Sequence, residues 1–235
     1  MNVVLLAAGG TGTRTGQDLP KQFICVDNMP IIIHTMKRLE SCKSIDKIVV
    51  ACLKGWEMAV EAYAKQFNIT KLMLISIGGD SRKKTLYNAL KDMKSFVNEE
   101  DIVLITDANR PLIPDDVVED AIAKCREYGS ACGVLPSYDS MYVSKQGSTV
   151  ITETANRDEV FRGMGPEAAP YSLCINMYEK YVDDDRINTL PDMLIDSGYK
   201  IGLSKGSARQ IKITTTEDIE IFKALLNSEK YDWLK

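Results

Sequence analysis

The chain has 235 residues, 45% of them hydrophobic and 26% charged, and a formal net charge of −4. That size and composition fit a folded chain with a sizeable core and set disorder aside. The small negative charge argues against a surface built throughout for nucleic acid, and no apolar run reaches the length of a membrane span.

The opening Val3-Val4-Leu5-Leu6-Ala7-Ala8 is too short for a signal-peptide core and has no basic residue before it, so a cytoplasmic protein is expected. The six cysteines (Cys25, Cys42, Cys52, Cys125, Cys132 and Cys174) form no CxxC pair. With His34 the only histidine, reduced buried thiols are expected rather than a zinc site.

Apolar runs of strand length fall at residues 3–7, 47–52, 71–77, 101–106 and 131–136. Between them, residues 31–41, 55–67, 81–96 and 114–128 carry helical periodicity. Near-continuous apolar strands alternating with amphipathic helices predict an α/β chain, with a mostly parallel sheet covered by helices on both faces. Ligand crevices of such sheets lie at the carboxyl ends of the strands, so functional residues are sought just after each strand. One domain over residues 1–235 is expected.

At about 137–155 the pattern changes. Met141-Tyr142-Val143 and Thr149-Val150-Ile151 flank the turn-rich Lys145-Gln146-Gly147-Ser148, which predicts an inserted β-hairpin arm. An arm bearing apolar and aromatic residues suggests a homodimer; an arm folded back on its own domain is the other reading. Residues 211–215 read as a further strand. A closing helix is predicted over 216–226, with a hydroxyl cap at Thr216 and acids at Glu217 and Asp218.

After the first strand, Ala7-Ala8-Gly9-Gly10 leads into Thr11-Gly12-Thr13-Arg14. Small residues there let backbone N–H groups approach a phosphate chain. Arg14 and Lys21 add fixed cations that stabilise charge moving onto a departing pyrophosphate. No Walker-type GxxxxGK[ST] string occurs. A dinucleotide fingerprint fails as well, because Thr15 stands where its third glycine belongs and the second strand ends in Leu53-Lys54 rather than an acid.

Gly78-Gly79-Asp80-Ser81-Arg82 follows the third strand; taken alone, it reads as a strand-to-helix turn capped by Asp80 or Ser81. Asp107 ends a strand at the ligand edge, where a carboxylate can hold a ribose hydroxyl or a magnesium ion. Arg110, three residues on, suits an anionic acceptor, or staples a turn to Asp107. Arg157 follows the arm, and Lys212 lies in an alternating segment where a solvated side chain is the rival reading. His34 reads as a packed helix residue. No aromatic–basic interleaving suggests nucleic-acid stacking.

Taken in order, these pieces resemble the cytidylyltransferases that act on 2-C-methyl-erythritol 4-phosphate or ribitol 5-phosphate. The resemblance runs through Ala7-Ala8-Gly9, Arg14, Pro20-Lys21-Gln22-Phe23, Pro30 with His34-Thr35, Gly78-Gly79 with Arg82, Asp107 with Arg110-Pro111, Asp139, Arg157, and Ile211-Lys212-Ile213-Thr214 with Glu217-Asp218. It implies a Rossmann-like nucleotidyltransferase fold with CTP and a small phosphorylated polyol as substrates. Arg14, Lys21, Arg157 and Lys212 would be the catalytic set, with Arg157 delivered through the dimer arm. Ala7, Ala8, Gly9, Gly10, Gly79, Asp80, Arg82 and Thr85 would hold the nucleotide, with Asp107 near the ribose. Arg110 and Ser140 fall on the acceptor side. Magnesium would be bound mainly through substrate phosphates, with no dedicated protein site.

The chain departs from the usual pattern of that family mainly on the acceptor side. Gly163-Met164-Gly165-Pro166-Glu167 stands where Thr-Pro-Gln is usual after the arm, Asp139-Ser140 for Asp-Thr, Tyr142 for a basic residue, Asn109 for Ala, and Gln210 for Asn. Ribitol 5-phosphate or a similar polyol phosphate is therefore the acceptor expected, ahead of the isoprenoid substrate. The other readings are a nucleotidyltransferase for a sugar phosphate and a non-catalytic nucleotide-binding domain, and retention of the four cations together speaks against the last.

Overall fold

The computed structural model describes residues 1–10 and 19–228. β1 (Asn2–Ala8), β4 (Lys47–Cys52), β5 (Leu72–Ile77) and β6 (Ile102–Asp107) form a parallel set. β1 is buried on both faces: Val4 and Leu6 join one core cluster, Val3 and Leu5 the other. This double burial is why the strand reads as a continuous apolar run rather than an alternation.

A two-stranded ribbon, β2 (Cys25–Val26) with β3 (Met29–Pro30), leads into α1 (Ile31–Ser41). α2 (Glu57–Gln66), α3 (Arg82–Met93) and α4 (Asp115–Tyr128) follow β4, β5 and β6. α3 begins at the Ser81 cap, whose Oγ accepts the N–H of Lys84 at 3.2 Å, so Arg82 becomes the first helical residue at the sheet edge.

β7 (Ala131–Pro136) is followed by a hairpin arm, β8 (Met141–Val143) paired antiparallel with β9 (Glu153–Ala155). Its first strand falls where expected, whereas the second lies at residues 153–155 and not at Thr149-Val150-Ile151, which belongs to the connecting loop. β10 (Phe161–Pro170), α5 (Tyr171–Tyr181), α6 (Leu190–Asp196), β11 (Gly202–Lys205) and α7 (Thr216–Ser228) complete the described chain. The main sheet has seven strands in the order β11-β7-β10-β6-β1-β4-β5. β10 is antiparallel to both its neighbours, and its register on β7 shifts between Gly163 and Glu167. At that shift the chains nearly touch: a Cβ on Gly133 would lie 2.2 Å from the Gly165 carbonyl oxygen.

The α/β expectation holds, with further corrections. Residues 211–215 form no strand. That segment is fixed by Asn109, whose carbonyl accepts the Ile213 N–H at 3.0 Å and whose Nδ2 donates to the Ile213 carbonyl. The antiparallel β10 was also unforeseen. No helix among the described residues is long and apolar enough to cross a membrane.

Candidate active site

The carboxyl ends of β1, β5 and β6 open onto a cavity of about 340 Å³. Ala7, Ala8, Gly9 and Gly10 from β1 and its exit line it, as do Gly79, Asp80, Arg82 and Thr85 around the start of α3. Lys21, Asp107 and Lys212 line it as well. Three predicted cations, Lys21, Arg82 and Lys212, therefore meet in one cleft. Arg14 lies outside the described residues.

The glycine segment is held by the side chains of Thr85 and Gln22 against its backbone. A Cβ on Gly9 would fall 2.8 Å from Thr85 Cγ2, so the segment packs against α3 only as glycine. Thr85 Oγ1 in turn accepts the Gly79 N–H at 3.1 Å. From the 3₁₀ turn Lys21–Phe23, the buried Gln22 donates Nε2 to the carbonyls of Ala8 and Gly10, both at 2.9 Å. Gln22 thus fixes the loop's path beside Lys21, a role its place in the Pro-Lys-Gln-Phe string signals only by adjacency.

Asp107 is the electrostatic centre. Lys212 Nζ lies 2.9 Å from its Oδ2, Arg110 Nε 3.2 Å from the same oxygen, and Arg82 Nη2 3.8 Å from Oδ1. Burial would raise the Asp107 carboxyl, but Lys212 and Arg82, with Arg110, outweigh it and hold the group below the usual carboxylate range. Arg110 also donates Nη1 to the Gln210 carbonyl at 2.9 Å, so it staples residues 107, 110 and 210 together. The buried Gln210 side chain donates to the Gly165 carbonyl at 2.9 Å, tying this segment to β10.

A second cavity of about 430 Å³ adjoins the first and shares Arg82, Asp107 and Lys212 with it. Arg110, Glu167, Asn188 and Thr189 also line it. Thr189 went unrecognised as a site residue although Thr189-Leu190-Pro191-Asp192 has the spacing of a capping box. Glu167, noted only as a departure on the acceptor side, is placed by the β10 bulge, which has no local sequence signature.

Two expected site residues lie away from both cavities in the single chain. Arg157 is 58% exposed at the side chain and donates Nη1 to the Tyr138 carbonyl at 3.2 Å, while Ser140 is exposed on the arm. His34 sits outside the cleft, with Nε2 2.9 Å from the Val26 carbonyl and its ring edge-on to Phe222. Burial lowers its pKa, as suits a packed histidine.

Comparison with known proteins agrees with this architecture. Residues 1–228 match the family model described as IspD: 2-C-methyl-D-erythritol 4-phosphate cytidylyltransferase. The chain is 33% identical to a ribitol-5-phosphate cytidylyltransferase of Lacticaseibacillus paracasei, over 98% of this chain and 100% of the relative. It is likewise 33% identical to a 2-C-methyl-D-erythritol 4-phosphate cytidylyltransferase of Clostridium novyi, over 97% and 98% of the two chains. The fold is shared with the 4-diphosphocytidyl-2C-methyl-D-erythritol synthase of Anaerococcus prevotii, at a TM-score of 0.81 and 23% identity over 96% of this chain and 95% of that one. A full-length match in sequence, carried on a sheet edge where lysine and arginine converge beside a glycine segment, makes this chain a member of the IspD family of cytidylyltransferases.

Proposed function

We propose that the chain transfers the cytidylyl group of CTP to ribitol 5-phosphate or a similar polyol phosphate, giving a CDP-polyol and pyrophosphate. The observation that carries this reading is the pair of adjoining cavities that share Arg82, Asp107 and Lys212. One is walled by small residues and Lys21 and suits the nucleotide; the other suits a small phosphorylated acceptor.

In this reading an acceptor phosphate oxygen attacks the α-phosphorus in line, and the bond to the pyrophosphate oxygen breaks. The acceptor is already a nucleophilic anion at neutral pH, since the second phosphate pKa is about 6. The reaction therefore needs no strong general base, in keeping with a cleft lined by lysine and arginine and with His34 packed elsewhere. Lys21 and Arg14 stabilise charge on the departing pyrophosphate, and Lys212 and Arg110 hold the acceptor phosphate.

Magnesium is part of the proposal. Asp80 and Asp107 are the carboxylates on the nucleotide cavity, and among the described residues no group of three metal-ligating side chains forms. This donor set fits an ion that would take its ligands mainly from substrate phosphate and water, since Asp107 is already paired with Lys212, Arg110 and Arg82. When bound, the ion neutralises charge on the β- and γ-phosphates.

A homodimer completes the site in this reading. Tyr138, Tyr142, Val150 and Ile151 on the arm are exposed, Tyr138 at 82%, and suit burial against a second copy. Arg157 and Ser140, at the same arm, would then enter the partner's cleft. The cysteines are all free thiols, which supports a cytoplasmic location.

The test is pyrophosphate release with each of the four nucleoside triphosphates against a panel of polyol and sugar phosphates. CTP with ribitol 5-phosphate should lead. Preference for 2-C-methyl-D-erythritol 4-phosphate, the acceptor named for the C. novyi relative, would replace the acceptor, and absence of turnover with every polyol phosphate would remove the reading.

A further inference from the structure

Glu167 sits in the interior of the sheet, where a carboxylate needs a reason. It follows the bulge of β10 and pairs with Ile105, two residues deeper along β6 than Asp107. At the rise of a strand, that places it about 7 Å below the cluster of Lys212, Arg110 and Asp107. Its side chain is 12% exposed and lines the second cavity.

The two carboxylate oxygens have different surroundings. Oε2 accepts the N–H of Leu190, the first residue of α6, at 3.2 Å. Oε1 has Arg82 Nη2 at 4.0 Å, beyond hydrogen-bond reach, and among the described residues no donor satisfies it. Burial, with the nearby Asp107 charge against it, pushes the Glu167 carboxyl above its usual range, while Arg82 pulls the other way. A glutamine amide would accept the Leu190 N–H equally well, so attachment of α6 does not account for the acid. Among the neighbouring acceptors, Thr189 and Asp192 are committed to each other in a capping box, whereas the Thr106 hydroxyl in the same cavity is a weaker, neutral acceptor without a partner. Glu167 therefore offers the cavity an unfilled acceptor, well below the cations that suit a phosphate.

We propose that Glu167 determines acceptor specificity: its carboxylate accepts a hydrogen bond from a hydroxyl of the polyol chain whose phosphate lies at Lys212 and Arg110. This rests on the acceptor reading above and deepens it. A buried acceptor of this kind rejects ligands that lack the matching donor, because it is then left without a partner.

The experiment uses the full chain, CTP, the polyol phosphate that the wild type turns over best, and the singly deoxygenated analogues of that acceptor. The wild type should lose about 10- to 100-fold in kcat/KM on one analogue, the value of a hydrogen bond to a charged group. Glu167→Gln, which replaces a charged hydrogen bond by a weaker neutral one, should raise KM for the intact acceptor, leave KM for CTP within about twofold, and narrow the gap between intact and deoxygenated acceptors severalfold. Two results overturn the proposal: unchanged discrimination in Glu167→Gln, or KM for CTP rising in step with KM for the acceptor, as a mere counter-ion of Arg82 would give. Should that variant fail to fold, a wild type that uses every deoxygenated analogue as well as the intact acceptor overturns it alone. A wild type inactive on all polyol phosphates sinks the acceptor reading itself, which is a different outcome.

Discussion

Lys212 Nζ and Asp107 Oδ2 stand 2.9 Å apart although they lie 105 positions apart in the chain, and Asn109 makes the pairing possible. By clasping Ile213 through both its backbone and its side chain, Asn109 fixes the segment that carries Lys212 at the end of β6. Asn109→Ala should therefore cost about 1–2 kcal/mol of stability for the lost side-chain hydrogen bond. It should also lower turnover severalfold by loosening Lys212. Urea unfolding and steady-state kinetics on one preparation check both.

Asp107 should make stability depend on pH in a defined direction. Its carboxyl is held below the unfolded value of about 3.9. Its contribution is thus fully present above that value and is lost as pH falls through the lower folded value. Asp107→Asn leaves Lys212, Arg110 and Arg82 facing one another without their anion. It should be destabilised by about 1–3 kcal/mol at pH 7, with the gap to wild type closing below about pH 4. Unfolding curves at a series of pH values measure this, and a gap independent of pH would refute the assigned charge state.

Lys21→Ala should cut kcat by about 10²–10³-fold, the usual loss when one stabiliser of developing charge is removed. Its unfolding midpoint should stay close to wild type, because Lys21 lines the cavity rather than the core. Wild-type turnover in this variant would end the role given to Lys21.

Gln22→Ala removes two hydrogen bonds that hold the carbonyls of Ala8 and Gly10. At about 1 kcal/mol each, KM for CTP should rise about 10- to 30-fold, with a smaller change in KM for the acceptor. Equal effects on both substrates would show that the loop does not serve the nucleotide selectively.

β1, β4 and β6 were legible because each is buried on both faces, which leaves an unbroken apolar run such as Val3 to Ala7. β10 was hidden by its own composition: two glycines and two prolines in ten residues read as punctuation, not as a strand between β6 and β7. β11 is only four residues long. In the site, Gly9, Arg82 and Asp107 could be found because Gly9 follows β1, Asp107 ends β6 and Arg82 opens the helix that follows β5. Gln22, Asn109 and Glu167 could not be assigned roles, since their partners are backbone groups of Gly10, Ile213 and Leu190. Lys212 was found, but on a segment misread as a strand; its carrier is held by Asn109 rather than by a ladder.

The place of β10 also orders events on the ribosome. β1, β4, β5 and β6 can assemble as soon as residue 107 has emerged, yet β7, made next, has no partner in that set. The outer edge of β6 stays open until residues 161–170 arrive between them, so the nascent chain passes through a stage with an unpaired apolar strand. Stalled synthesis between those two points should yield an aggregation-prone fragment rather than a smaller working enzyme.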